Sequence, residues 1–145
     1  MTSIFVNFPV NDLDRAKEFY TALGAEINPL FTDENAACIV WDEKVYFMAL
    51  TKAYFATFTD KQPVDAMTHA QTSIALSRDS RDDVDKALEA GLANGGREPR
   101  EAQDYGFMYS RDLEDPDGNI IGFLYMDPAA VEKGPELYMA EQGRA

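Results

Sequence analysis

The 145-residue sequence contains one cysteine, Cys38, and one histidine, His69. A single cysteine excludes an internal disulfide framework and a thiolate metal cluster. The longest uncharged apolar run is far too short to cross a bilayer, so we expect no membrane partner. The N-terminal stretch also lacks the basic region and the cleavable apolar segment of a signal peptide. These features predict a protein of the reducing cytoplasm.

Positive charge is also scarce, because 13 Lys and Arg residues stand against 26 Asp and Glu residues, which gives a formal net charge of -13. Nucleic-acid binding needs a basic surface, so we expect no nucleic-acid partner. An acidic field favours cationic ligands, although its usual consequence is solubility. The length favours one domain with a hydrophobic core of its own.

The first half of the chain predicts a βαβββ unit. Residues 3–10 alternate as a two-faced strand, and a helix capped by Asn11 or Asp12 then ends at Gly24. Three further strands are predicted, at Ala36–Trp41, Val45–Thr51 and Tyr54–Thr59. The polar, proline-containing residues 60–70 are typical of a linker.

The second half repeats this plan. Thr72–Ser77 alternates as a strand, Ser80 caps a helix with Asp83 as its capping-box partner, and Asn94-Gly95-Gly96 ends that helix. A short strand is expected near Arg97–Glu101. Phe107–Leu113 and Asn119–Met126 then form a hairpin around an Asp-Pro-Asp-Gly turn. We expect the C-terminal segment to form a short helix over Ala130, Val131 and Leu137.

Three stretches resemble the vicinal oxygen chelate superfamily, which includes glyoxalase I, extradiol dioxygenases and bleomycin-resistance proteins. They are FVNFPVNDLDRAKEFYTALGA, SIALSRDSRDDVDKAL and DLEDPDGNIIGFLY. The chain looks most similar to the "predicted lactoylglutathione lyase" members, which often contain a stretch like Gln103–Tyr109. The resemblance implies an α+β fold in which two βαβββ modules form a cupped, mostly antiparallel eight-stranded sheet. It also implies one domain over 1–128, with module one at about 2–59, linker 60–70, module two at about 71–128 and a tail at 129–145.

In metal-binding members of the superfamily, four positions in the cup hold the ligands. By resemblance these positions fall on Phe5, Ala49, Ser73 and Gly122, with a slip of one residue possible at Ala49. A serine hydroxyl is a poor transition-metal ligand and the other three side chains offer no donor. We therefore expect no metal site of the usual kind and no cofactor.

Strand parity predicts a largely apolar cup with a few polar groups, which is typical of a small-molecule pocket. Trp41, Tyr105 and Met108 are expected at its rim. The expected ligand-pocket residues are Phe5, Asn7, Trp41, Phe47, Ala49, Ser73, Ala75, Tyr105, Met108, Gly122 and Leu124.

Two other residues have both a functional and a structural interpretation. His69 is the one weak catalytic candidate, as a general base if the Thr72–Ser77 strand extends back to it, because residues 69, 71 and 73 then share a parity. Its alternative role is that of a solvent-facing linker residue. Cys38 is expected to be a buried small side chain, because no basic group lies near it in sequence.

Three functions remain open on this evidence. The first is a metal-free, bleomycin-resistance-like protein that sequesters or senses a small amphipathic or cationic compound. The second is an enzyme, either a glyoxalase-like lyase or isomerase or an extradiol dioxygenase, with an atypical metal or none. The third is a structural or protein-interaction role. The resemblance also implies a homodimer, because module pairs in this superfamily commonly dimerise.

Overall fold

The computed structural model describes residues 1–143 and forms two modules, each with a four-stranded sheet and a helix. The strands are β1 (Ile4–Val10), β2 (Glu26–Ile27), β3 (Ala36–Asp42), β4 (Val45–Thr51), β5 (Ser73–Ser77), β6 (Gln103–Asp104), β7 (Met108–Glu114) and β8 (Ile120–Met126). The helices are α1 (Leu13–Ala22), α2 (Lys52–Phe55), α3 (Arg81–Ala93), α4 (Pro128–Lys133) and α5 (Pro135–Glu141). This arrangement confirms the α+β class.

The eight strands are hydrogen-bonded as two separate mixed sheets. Sheet A has the order β1-β4-β3-β2 and sheet B the order β5-β8-β7-β6. In each sheet the first strand pairs in parallel with the last strand of its module, and the other neighbours are antiparallel. Among residues 1–143 no strand of one sheet pairs with a strand of the other, so the eight strands of the expected cup are arranged as four and four.

Helices α1 and α3 begin where the sequence indicates. The side chain of Asp12 accepts a hydrogen bond from the Arg15 amide, and that of Ser80 accepts one from the Asp83 amide. Each cap satisfies an amide that has no partner within its helix. The helices place their apolar stripes against the sheets, and one buried cluster includes Phe19 of α1, Leu88 of α3 and Phe123 of β8. Both modules therefore share a single core.

The prediction of a strand at Tyr54–Thr59 is wrong, because no strand forms over these residues. Thr51 ends β4 and its hydroxyl caps helix α2, which occupies Lys52–Phe55. The fourth strand of sheet A is instead β2, which pairs with β3. The aromatic residues that suggested a strand pack on each other at the protein surface, where the ring centroids of Tyr54 and Phe58 lie 5.0 Å apart.

Two further expectations need correction. The short strand expected near Arg97–Glu101 lies later, at Gln103–Asp104, and Arg97 makes only an isolated bridge to Glu114. The C-terminal segment forms two helices, because Gly134 interrupts it with a φ of +86° that an L-residue rarely adopts. Residues 144–145 of the expected tail lie outside the described residues.

Candidate functional site

Each sheet has one face in the shared core and one face turned away from it, here called its open face. In β1, Val10 is 2% exposed whereas Phe5 is 55% exposed, so odd-numbered residues of this strand lie on the open face. Phe5 stacks on Tyr46 of the neighbouring strand, with ring centroids 4.6 Å apart and planes 8° apart. Asn7 is on the same face and is exposed.

The open face of sheet B includes most of the expected pocket residues of module two. Ser73 and Ala75 of β5 are exposed and pair with Ile120 and Gly122 of β8. Leu124 and Met108 follow on the same face, because β7 and β8 pair Ser110 with Leu124 and Met108 with Met126. Parity therefore placed these residues on the face that we expected.

Of the expected pocket residues, Phe47 and Ala49 lie in the core and Trp41 packs against it. Phe47 and Ala49 are each 0% exposed, because β4 pairs them with the core-facing Val6 and Phe8 of β1. Met48 is the β4 residue that pairs with Asn7 on the open face. Trp41 packs against the core at the contact between the modules, where its ring centroid lies 5.5 Å from that of Phe47 and 6.2 Å from that of Phe123. We had expected Trp41 at the rim of the pocket, and the structure places it at this contact between the modules.

Tyr105 is in the loop between β6 and β7, with 47% of its surface exposed. Its ring centroid lies 6.1 Å from that of Phe107, and its amide donates to the Met108 carbonyl at 2.8 Å.

Cys38 is 3% exposed, and burial raises the pKa of its thiol, which opposes formation of the reactive thiolate.

The four family ligand positions do not fit a divalent cation. Phe5, Ser73 and Gly122 lie on open faces, and the nearest open-face residue of β4 is Met48. A thioether, a hydroxyl, a phenyl ring and a hydrogen atom do not form the imidazole and carboxylate set that such a cation prefers. Within residues 1–143 no group of three His, Cys, Asp or Glu side chains is close enough together to hold a metal ion.

One carboxylate on the open face of sheet B was missed from the sequence. Asp112 of β7 pairs with Gly122, and a Cβ added to that glycine would lie 3.0 Å from Asp112 Oδ1. The same carboxylate accepts a 2.6 Å hydrogen bond from Arg100 Nε. The alternation of Met108–Glu114, read against the glycine on its partner strand, is the signal that would have found it.

A cavity of about 660 Å³ lies between the modules, where the linker passes over the ends of β1 and β8. Here it is called the linker cavity. Its walls come from four segments: β1 and its end (Asn7, Phe8, Pro9, Asn11), α2 (Lys52, Phe55), the linker between Thr59 and Thr72, and the turn Asp117–Ile120. Lys52 and His69 are exposed, so the cavity opens to solvent.

The Asp-Pro-Asp-Gly turn supports one wall of this cavity. Asp117 Oδ1 accepts a 2.8 Å hydrogen bond from the Asn11 amide, which ties the turn to the end of β1. Gly118 has a φ of +94°, and a Cβ there would lie 2.6 Å from the Ala66 carbonyl oxygen. Only glycine fits both this conformation and this close approach.

Asp115 anchors the turn from inside the protein, with 4% of its surface exposed. Its carboxylate accepts hydrogen bonds from the Tyr20 hydroxyl at 2.7 Å, from the Asp117 and Asn119 amides at 2.9 Å each, and from the Asn119 side chain at 3.0 Å. Burial raises the pKa of Asp115, while the bonds from Tyr20 and Asn119 oppose that rise. Burial and the adjoining Asp115 raise the pKa of Tyr20 well above its ordinary value.

His69 lines the linker cavity from a turn and not, as expected, from an extension of the strand. β5 begins at Ser73, so the strand does not extend back to the histidine. His69 instead closes a turn, in which its amide donates to the Asp65 carbonyl at 2.8 Å. Its ring Nδ1 lies 2.8 Å from the Thr68 hydroxyl oxygen. Sequence reasoning missed Lys52, Phe55 and Lys61 in the same cavity, because Phe55 was assigned to a strand and Lys61 to a linker.

Comparisons with known proteins agree with this architecture. The family model described as bleomycin resistance protein-like N-terminal matches residues 2–41. A glyoxalase/bleomycin resistance protein from Albidiferax ferrireducens is 28% identical, with a TM-score of 0.61 over 86% of this chain and 98% of its own. A glyoxalase/bleomycin resistance protein/dioxygenase family enzyme from Burkholderia phytofirmans is 15% identical, with a TM-score of 0.70 over 85% of this chain and 97% of its own.

A third solved structure is that of TnmS3, an antibiotic binding protein from a Streptomyces species. It is 18% identical, with a TM-score of 0.64 over 88% of this chain and 97% of its own. No curated protein matches the sequence. The fold is that of the glyoxalase/bleomycin-resistance class of proteins. The amino-terminal family match agrees with the resemblance to the vicinal oxygen chelate superfamily that the sequence motifs carry.

No helix within the described part of the chain is both long and apolar enough to cross a membrane.

Proposed function

We propose that the chain is a bleomycin-resistance-like binding protein that holds a small amphipathic organic compound in the linker cavity, without a bound catalytic metal. The observation that supports this proposal is the cavity itself. Its volume of about 660 Å³ lies within the range of about 300–1,000 Å³ that is usual for small-molecule sites. Its walls combine apolar groups, such as Phe55 and Ile120, with side-chain amides, such as Asn7.

The ligand would be sequestered or sensed, and the cell compartment would be the cytoplasm. TnmS3, which has the same fold, is named as an antibiotic binding protein, and this supports ligand binding as a use of the fold. The expected pocket residues on the open faces, Phe5, Asn7, Ser73, Ala75 and Gly122, remain candidates for contact with a ligand. Of these, Asn7 is the one that also lines the linker cavity.

The test is a screen followed by a cavity-filling variant. Amphipathic aromatic compounds, neutral and charged, are screened by thermal shift against the unmodified chain. At a ligand concentration of about 100 times Kd, binding stabilises the fold by about 2.7 kcal/mol. For a domain of this size that raises Tm by about 5–10 °C.

Each hit is then titrated into Ala70→Trp, which places an indole in the cavity, and into Ala53→Trp. Both alanines are exposed, and only Ala70 lines the cavity. We expect affinity to fall at least about tenfold in Ala70→Trp and to stay unchanged in Ala53→Trp, because only the first indole competes with the ligand for space. A panel with no hit, or hits that bind both variants equally, would contradict the proposal.

The metal content of the purified protein distinguishes the enzyme alternative from this binding function. Glyoxalase-like isomerisation and extradiol oxygenation both depend on a metal that polarises the substrate or binds oxygen, and the four positions here do not supply its ligands. Elemental analysis of protein purified without chelator should give less than stoichiometric Ni, Zn, Fe and Mn. A stoichiometric metal whose removal abolished an enzymatic activity would overturn the binding proposal.

Homodimerisation is part of the proposal, through the open face of sheet A. Phe5 retains 55% of its surface there and stacks on Tyr46, which is partly buried. Exposed aromatic surface of this kind is typical of protein contacts. Sedimentation equilibrium should show a dimer, and Phe5→Arg should shift the population towards monomer. A monomeric unmodified chain at about 100 µM would rule out this contact.

A further inference from the structure

The linker cavity departs from the strongly acidic character of the chain. The sequence has twice as many acidic as basic residues, and six basic residues form ion pairs with carboxylates: Lys17, Arg81, Arg97, Arg100, Arg111 and Lys133. Lys52 and Lys61 both line the cavity, and neither forms an ion pair within 4.0 Å in the described part of the chain. Two free ammonium groups therefore adjoin one cavity.

The two carboxylates of the cavity are held by the backbone. Asp65 Oδ1 accepts a 3.0 Å hydrogen bond from the Met67 amide, inside the turn that His69 closes. Asp117 Oδ1 accepts its 2.8 Å bond from the Asn11 amide. These bonds fix both carboxylates in structural roles, whereas the lysine side chains have flexible stems and no competing carboxylate partner. A ligand entering the cavity thus meets movable positive charge.

The apolar part of the cavity lies beside these lysines. Phe55 is three residues after Lys52 on α2, so the two side chains lie on the same side of that short helix. Pro63 and Val64 follow Lys61 in the linker and also line the cavity. Cationic heads next to apolar surface match a molecule that has an apolar body and one anionic group.

From this geometry we infer that the linker cavity selects amphipathic organic anions, with Lys52 and Lys61 binding the anionic group and Phe55 contacting the apolar body. The inference rests on the proposed function and names the ligand class of the same site. It reverses the preference for cationic ligands that the net charge suggests, because the groups lining a cavity act at contact distance whereas the surface field is screened by salt.

Three probes with one ring system test this inference: 2-naphthoate, 2-naphthamide and 2-naphthylmethylammonium, titrated by calorimetry into the full chain. We expect the carboxylate to bind at least about tenfold more tightly than the amide or the ammonium. Only the carboxylate should lose affinity as NaCl is raised, because its binding depends on attraction to charged lysines.

The double variant Lys52→Gln/Lys61→Gln should lower the affinity for naphthoate about tenfold and leave that for naphthamide unchanged. Lys86→Gln is the matched control, because Lys86 is an exposed lysine on α3, outside the cavity and without an ion pair in the described residues. It should leave both affinities unchanged. Circular dichroism of each variant verifies that it is folded.

The outcomes distinguish the two proposals. Equal or tighter binding of the amide or the ammonium overturns the anion preference and leaves the binding function standing. Naphthoate binding that Lys52→Gln/Lys61→Gln does not weaken also overturns it, because the anionic group then lies elsewhere. If none of the probes binds, the anion preference falls, and the compound screen with Ala70→Trp decides the binding function separately.

Discussion

The hydrogen bond between Tyr20 and Asp115 joins helix α1 of one module to the turn of the other. The bond is 2.7 Å long and buried, since Asp115 is only 4% exposed. It joins two residues that are 95 positions apart in the sequence. A buried carboxylate is costly unless donors surround it, and here four donors do so. The turn that supports the linker cavity therefore depends on a residue of the first helix.

Replacing Tyr20 by phenylalanine should destabilise the fold by about 1–3 kcal/mol at pH 7, because a buried carboxylate oxygen loses a donor. The pKa of Asp115 is already above its ordinary 3.8, so this group favours folding most below pH 3.8, and the benefit is lost as pH rises through the folded pKa. The tyrosine bond lowers that pKa, and its removal raises it further. The destabilisation should therefore be larger at pH 7 than at pH 3.5.

Urea unfolding at the two pH values measures this difference, and Tyr46→Phe is the control. The Tyr46 hydroxyl donates to the Glu43 carbonyl in an exposed bond, so its loss should change the free energy of unfolding by less than about 0.5 kcal/mol. A Tyr20→Phe effect as small as that of Tyr46→Phe would show that the bond does not hold the turn.

At the scale of elements, the contact between the Asp-Pro-Asp-Gly turn and the linker shapes the cavity. Gly118→Ala should lower the free energy of unfolding by more than Gly24→Ala, as measured by urea unfolding. Both glycines have positive φ, +94° and +102°, so each alanine incurs about 1 kcal/mol of backbone strain. Only at Gly118 does the new Cβ also meet backbone, 2.6 Å from the Ala66 oxygen, whereas nothing lies within 4 Å of it at Gly24.

The variants Gly118→Ala and Gly24→Ala also test whether the contact between the turn and the linker matters for ligand binding. Gly118→Ala displaces the linker from the turn, so it should also weaken binding of any ligand found by the compound screen. Gly24→Ala should leave that affinity unchanged. Equal destabilisation by the two variants would mean that the linker does not pack on the turn in solution.

The sequence was informative about elements whose signal is local. Alternation found β1 and β5, and the caps Asp12 and Ser80 marked the starts of α1 and α3. It failed after Thr51, because the aromatic residues that follow are typical of strands and the hydroxyl cap of α2 was not recognised. The two-residue β2 is too short to give any periodic pattern.

The site was harder to predict, because it depends on register and on long-range contacts. Phe47 and Ala49 were assigned to the wrong face, since a shift of one residue along a strand reverses every side chain. The linker cavity joins segments far apart in sequence, such as Asn11 and Asp117. No local pattern indicates that Lys52 and Lys61 would meet in one place.

At the scale of the whole molecule, the two modules should unfold together, because one buried cluster includes residues of both. Trp41 is the only tryptophan and packs on Phe47 of its own module and on Phe123 of the other, with Arg78 lying over both Trp41 and Phe123. Its fluorescence therefore reports on the contact between the modules. In urea, the fluorescence and far-UV circular dichroism transitions should coincide.

Fluorescence that changed at lower urea than the circular dichroism would instead mean that the modules separate before they unfold. In that case the linker cavity, whose walls come from both modules, would be a less stable feature than the core.

The most direct test of ligand binding in the linker cavity is an ¹H–¹⁵N NMR titration of the full chain with 2-naphthoate. We predict that the amides with the largest chemical-shift changes are those of residues lining the cavity, among them Asn11, Phe55, His69 and Asn119. Shifts concentrated on the open face of sheet B, around Ala75 and Gly122, would contradict binding in the linker cavity. A spectrum that excess 2-naphthoate leaves unchanged would contradict the preference of this cavity for amphipathic anions.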